Sequence, residues 1–131
     1  LMQRKTDVVE AALTRAARKA PIRGEVWWVN LDPTKGHEQA GKRPVVVLTP
    51  ERFNRATDRA IVVPMTTKLA TPGTQRANLQ VPITSMDEPS VALPDQIVTI
   101  DWAARYAAYS GKDATDDELD EIKARVDALI G

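Results

Sequence analysis

A chain of 131 residues, 43% apolar and 27% charged, suits one globular domain with a core of ordinary size. It has no cysteine, which excludes disulfides and thiolate metal sites, and its single histidine, His37, argues against a zinc site built by the protein. The formal net charge is zero but unevenly placed: residues 1–76 hold 14 Lys+Arg against 7 Asp+Glu, a balance of +7, and residues 77–131 hold 4 against 11, a balance of −7.

That split is compatible with a basic face for a polyanion and an acidic surface elsewhere, or with a fold that mixes the two halves. No apolar run approaches the roughly 18 residues of a membrane helix, and the charged N-terminus has no apolar signal core. A cytoplasmic protein without membrane contact is the expectation.

In chain order, residues 6–20 read as a helix. Asp7 and Glu10 match a capping box, Val9, Leu13, Ala16 and Ala17 share one face, and Pro21 closes the run. Its apolar face is mostly alanine and its other face basic, which suits light docking, a solvated surface or a nucleic-acid contact. Residues 1–21 are expected to be a helical extension of a domain over 22–131.

Glu25 to Leu31 is aromatic and β-branched, hence a strand, with Trp27 and Trp28 on opposite faces. One tryptophan is core; the other is a second core layer, a platform for a base, or a dimer contact. Asp32-Pro33-Thr34 has turn chemistry. Pro44 to Thr49 reads as a strand buried on both faces, and Pro50 to Asn54 as a short helical turn that Thr49 could cap. Ala60 to Val63 is a third strand ended by Pro64, and residues 68–76 form a polar, basic loop. Asn78 to Ile83 reads as an edge strand because of Pro82. Val91 to Leu93 and Ile97 to Ile100 are short strands around Pro94-Asp95-Gln96; Trp102 to Tyr109 is undecided between strand and helical turn. Thr115 to Ile130 is a helix with a Thr115/Glu118 capping box and an apolar stripe of Leu119, Ile122, Val126 and Leu129. Short strands at close spacing followed by a terminal helix predict a mainly β, α+β fold: a small curled barrel with added helices.

The chemistry concentrates in Gly36-His37-Glu38-Gln39-Ala40-Gly41-Lys42-Arg43-Pro44, between two apolar strands. This loop carries an imidazole, a carboxylate, an amide, an ammonium and a guanidinium, and it is longer than a hairpin needs. Further polar residues stand at strand ends: Thr66 and Thr67 after one strand, Asp95 and Gln96 before another. A guanidinium, a hydroxyl and a carboxylate together suit a phosphodiester. Arginine grips phosphate oxygens in a fork, threonine donates a hydrogen bond, and a carboxylate or imidazole moves protons. In RNA the neighbouring 2′-hydroxyl is a built-in nucleophile that calls for no metal. The bland alternatives are an Arg43 ion pair with Glu38 or Asp32, ordinary strand-end threonines and a solvated His37.

Gly24-Glu25-Val26-Trp27-Trp28-Val29, the stretch Asp32 to Pro44 with its G-x-E-Q-x-G-x-R-P element, Val63-Pro64-Met65-Thr66-Thr67, and Val91-Ala92-Leu93-Pro94-Asp95-Gln96 closely resemble the MazF/PemK family of toxins. The likeness runs from Ile22 to the end. It implies an SH3-like barrel of the CcdB/PemK type and a homodimer. It also implies a cofactor-free, metal-independent endoribonuclease of a type II toxin–antitoxin system, which cuts single-stranded RNA to a 2′,3′-cyclic phosphate and a 5′-hydroxyl. A cognate antitoxin would inhibit it with a disordered acidic C-terminal segment that folds on binding.

By position, the resemblance makes Arg43 and Thr66 catalytic, with Glu38 as the loop glutamate that relatives need for activity. Because guanidinium holds its proton above about pH 12, Arg43 suits charge stabilisation, and Glu38 or His37 is the more natural base. His37, Gln39, Lys42, Asn54, Thr67, Asp95 and Gln96 are the candidates for RNA binding. Two rivals share the fold: a gyrase poison like CcdB and an inactive RNA-binding module. The first depends on an aromatic C-terminal tip, whereas this sequence reads Asp127-Ala128-Leu129-Ile130-Gly131; the second is weakened by the presence of Arg43, Thr66 and Glu38.

Overall fold

The structure, a computed structural model, describes residues 19–31 and 42–131. The expected N-terminal helix up to residue 18, the turn at Asp32-Pro33-Thr34 and the loop bearing His37, Glu38 and Gln39 lie outside the described residues. Lys19 and Ala20, expected at the helix end, are not helical.

The elements run β1 (Glu25–Asn30), β2 (Lys42–Val47), α1 (Glu51–Thr57), β3 (Arg59–Thr66), α2 (Gln75–Leu79), β4 (Val81–Ile83), β5 (Ser90–Ala92), a 3-10 turn (Pro94–Gln96), β6 (Val98–Asp101), β7 (Ala108–Asp113) and α3 (Asp116–Ile130). The strands make one curled antiparallel sheet in the order β4-β5-β3-β2-β1-β7, with β6 also on β3.

Strand alternation places side chains on two cores. Val26, Val46, Val63 and Met65 meet Val81, Ile83, Ala92 and the α3 residues Leu119, Ile122 and Val126. Trp27, Val29, Val45, Val47, Ala60 and Val62 face the other way, onto Ile100 and Trp102. The middle strands are thus buried on both faces, as the unbroken apolar run in β2 requires.

Pro64 does not end β3, which continues to Thr66. A proline cannot donate to a ladder, so it is tolerated where pairing is interrupted. Here it lies where one edge of β3 changes partner, from β6 (last pair Val62 with Val98) to β5 (first pair Met65 with Ala92). The Pro64 carbonyl still accepts from Leu93 N at 2.9 Å.

The segment 75–79 is α2 rather than the start of an edge strand. Gln, Arg, Ala and Leu are good helix formers, and the Thr74 hydroxyl accepts from Ala77 N at 3.2 Å as an N-cap. The edge strand shrinks to Val81–Ile83, with Pro82 exposed. Residues 102–106 form a turn, and Ala108 and Tyr109 already belong to β7.

Glu25 is buried, and its charge is met by Lys19 at 2.9 Å. The same carboxylate accepts from Ile22 N at 2.8 Å and Trp27 Nε1 at 3.0 Å. This ties the approach to β1 onto the sheet and fixes Trp27 as the core tryptophan.

Thr49 does not cap α1, whose N-cap is Pro50 with no side-chain bond. Its hydroxyl donates instead to Asn54 Oδ1 at 2.6 Å and accepts from Ile61 N at 3.1 Å. Asn54 Nδ2 donates to the carbonyls of Pro21 at 2.8 Å and Thr49 at 2.9 Å, and the Asn54 carbonyl accepts from Trp102 Nε1 at 2.9 Å. Asn54, at 0% exposure, is a structural hub that joins four segments.

The α3 capping box forms as the sequence predicts: Thr115 Oγ1 accepts from Glu118 N, and Glu118 Oε1 accepts from Thr115 N. Glu118 Oε2 also accepts from Thr84 N and Oγ1, each at 2.9 Å. Leu129 is 48% exposed, because the last helical turn runs past the core.

Asn54→Ala should lower unfolding stability by about 2–3 kcal/mol in urea titration, since it strands buried carbonyls; an unchanged midpoint would contradict the hub. Burial alone would raise the Glu118 carboxyl, but the hydrogen bonds from Thr115 and Thr84 outweigh it and bring it below its ordinary 4.5. A lowered folded value means stabilisation complete above the unfolded value and lost as pH falls through the folded one. Wild type should therefore lose stability more steeply than Glu118→Gln between about pH 5 and pH 3; parallel profiles would contradict this.

Candidate active site

The site begins with strand register. β2 and β3 pair Val45 with Pro64 and Val46 with Val63. Continued outward by two residues, that register carries Arg43 to Thr66. Both stand where the strands leave the core: Val45 is fully buried, and Arg43 is exposed. β1 supports Arg43 from its other side through the pair Val29 and Arg43.

Arg43 and Thr66 line two hollows at once. The first, about 360 Å³, is completed by Lys68, Arg76, Gln80, Asp95 and Gln96, with Leu69, Leu79 and Leu93 as apolar wall. The second, about 540 Å³, is completed by Trp28, Pro44, Met65, Thr67, Met86, Asp87, Glu88 and Lys112. A group seated between Arg43 and Thr66 would sit at the junction of the two.

The hydrogen bonding of Thr66 sets its role. Its Oγ1 accepts from Lys68 N at 3.1 Å. A hydroxyl has one proton to donate and two lone pairs, so this bond leaves the proton for an incoming acceptor. Arg43 brings a planar fork of N–H donors and has no ion pair among the described residues. The two can hold one tetrahedral oxyanion from two directions.

The hollows differ in charge. In the first, Arg43, Lys68 and Arg76 face the single carboxylate of Asp95. In the second, Lys112 is paired with Asp87 at 3.1 Å and Glu88 adds another negative charge. Trp28, 42% exposed, lies there with Met65 and Met86 and gives a flat apolar surface. Among the described residues no cluster of three or more His, Cys, Asp or Glu could hold a metal ion.

The structure brings together Arg43, Thr66, Thr67, Asp95 and Gln96 from the residues singled out by sequence. Asp95 and Gln96 reach the first hollow from the 3-10 turn, whose Pro94 is buried. Lys42 is exposed one residue before Arg43, so alternation turns it to the opposite face. Asn54 is not at the surface: its amide is engaged inside the protein and has no edge to offer RNA. His37, Glu38 and Gln39 lie outside the described residues. Sequence reasoning passed over Lys68 and Arg76 as individual site residues; their signal was only the basic composition of residues 68–76.

The sequence matches, over residues 22–130, the family described as PemK-like, MazF-like toxin of type II toxin-antitoxin system. It is 41% identical over 115 residues to the endoribonuclease toxin MazF of Escherichia coli (strain K12), covering 88% of this chain and 98% of that protein. It is 35% identical over 85 residues to the endoribonuclease EndoA of Bacillus subtilis (strain 168), covering 60% of this chain and 69% of that protein. MazF (Form-I) from Deinococcus radiodurans shares the fold with a TM-score of 0.73 at 30% identity, covering 87% of this chain and 99% of that one. A MazE-MazF structure (Form-III) from the same organism gives 0.71 at 27% identity, with 86% and 98% coverage.

Because Arg43 is exposed and its side chain takes no part in the core, Arg43→Ala should leave unfolding stability within about 0.5 kcal/mol of wild type in denaturant titration. A larger loss would make it a structural residue.

Proposed function

The chain belongs to the PemK-like, MazF-like toxins of type II toxin–antitoxin systems, and we propose that it is an endoribonuclease whose chemistry rests on Arg43 and Thr66. The reaction is transesterification within single-stranded RNA. The 2′-oxygen of the ribose attacks the adjoining phosphorus as its proton passes to a base, and the bond from phosphorus to the 5′-oxygen breaks. The 5′-oxygen takes up a proton. The products are a 2′,3′-cyclic phosphate and a 5′-hydroxyl, and the atoms balance without a metal.

Arg43 binds the non-bridging oxygens and stabilises the charge that grows on them in the transition state. Thr66 donates its free proton to the same phosphate. Glu38 or His37 takes the 2′-proton; both have the chemistry of a base, and both lie a few residues before Arg43 in sequence. Thr67, Asp95 and Gln96, with His37 and Gln39, supply base and backbone contacts; Lys42, on the opposite face from Arg43, is left out of the site. The observation that carries the proposal is the exposed guanidinium and the half-engaged hydroxyl at the junction of two hollows.

Around this core we place the rest of the biology: a cytoplasmic homodimer, held in check by an antitoxin with an acidic segment, and a separate extension over residues 1–21. The likeness to a MazE-MazF structure supports the antitoxin partner. No helix among the described residues is long and apolar enough to cross a membrane.

The test is to incubate the pure protein with a long RNA in EDTA and map both ends of every cut. Expected are cyclic-phosphate and 5′-hydroxyl ends at a short recurring sequence. Folded Arg43→Ala should cut at least about 100-fold more slowly. Chelator-sensitive cutting, 5′-phosphate ends, or full activity in Arg43→Ala would overturn the assignment.

A further inference from the structure

We propose that the hollow between Arg43 and α2 is a second phosphate subsite, in which Lys68 and Arg76 bind the RNA backbone at a linkage next to the one that is cut; this rests on the endoribonuclease reading and deepens it. Neither residue is needed for the chemistry. They are positioned to hold the strand while Arg43 and Thr66 act.

Both cations line the hollow that Arg43 and Thr66 open into. Both are exposed, and neither has an ion pair among the described residues. The backbone that carries them is held at several points. Lys68 N donates to the Thr66 hydroxyl at 3.1 Å, so the first cation is tied to a catalytic side chain. Gln80, only 8% exposed, accepts from Ala70 N at 2.9 Å and pins the loop. Thr74 caps α2, and Arg125 Nε of α3 donates to Asn78 O at 2.8 Å, fixing the helix that presents Arg76. A held loop and helix whose two cations have no ion pair among the described residues make a prepared anion site, since part of the protein's ordering cost is met before binding.

The occupant follows from continuity and from the mixed charge. A phosphate gripped by Arg43 brings the next linkage along covalently, at high effective concentration. Asp95 stands in the same hollow and opposes a carboxylate-rich peptide, yet it accepts hydrogen bonds from a ribose hydroxyl or a base amino group. Cations with one carboxylate among them suit a nucleotide better than an acidic protein segment. The other hollow lacks this character, because its Lys112 is already paired with Asp87.

The test uses Lys68→Gln, Arg76→Gln and the double variant on a short cleavable RNA, alongside Arg43→Ala. Folding is checked by denaturant midpoint. The double variant should raise KM roughly tenfold and leave kcat within about twofold, whereas Arg43→Ala should lower kcat. The salt dependence of log KM should flatten by about 0.7 for each phosphate that is no longer neutralised. A single neutral methylphosphonate at one linkage flanking the cut should raise KM for wild type and leave the double variant unaffected. Unchanged KM and salt slope in the double variant, or an equal methylphosphonate penalty in both proteins, would overturn the subsite while cleavage by wild type stood. Weaker binding of poly-glutamate with unchanged KM for RNA would assign the hollow to an acidic protein segment and equally overturn it. Absence of RNA cleavage by wild type would reject the endoribonuclease reading itself.

Discussion

The pairing of β2 with β3 is the constraint on which the rest depends. Three consecutive valines in β2, Val45 to Val47, are buried and set the register against Val62, Val63 and Pro64. Because side chains alternate, a slip of one residue would move Val45 and Val47 into the core that Val46 fills and Val46 into theirs, and would turn Arg43 to the opposite face. The hydrophobic pattern therefore also decides which residues meet beyond the core edge, and they are Arg43 and Thr66. Two side chains on neighbouring strands thus inherit their placement from apolar packing elsewhere in the sheet.

The surroundings divide the work. One hollow is cationic and walled by a pinned loop; the other has an exposed tryptophan, two methionines and a neutralised lysine. A single-stranded polyanion that crosses the junction meets charge for its backbone on one side and a flat apolar surface for a base on the other. The net charge of zero conceals this, because acidic residues gather on α3, which begins Asp116-Asp117-Glu118.

Much of the fold was legible in the sequence. Val26, Val29 and Val45 to Val47 announced the central strands, and the Thr115/Glu118 box announced the start of α3. The failures have local causes. Pro64 reads as a stop, yet β3 passes through it because the proline falls where one edge changes partner. The helix α2 was hidden because Thr74 and five weakly patterned residues look like loop followed by strand. Asn54 looked like an exposed polar recognition residue; only the tertiary structure reveals the carbonyls of Pro21 and Thr49 that its amide bonds. Residue type singled out Arg43, Thr66 and Asp95, but their convergence on one hollow depends on pairings separated widely in sequence. Lys68 and Arg76 gave no signal beyond basic composition.

The central claim is that Arg43 and Thr66 hold one phosphate together. The most direct measurement is a crystal structure with a short RNA whose ribose at the cut site is 2′-O-methylated, so that the nucleophile is blocked. The account predicts the adjoining phosphate oxygens within about 2.7–3.2 Å of both the Arg43 guanidinium and Thr66 Oγ1. A phosphate bound by neither, or RNA seated on a surface away from this pair, would contradict it.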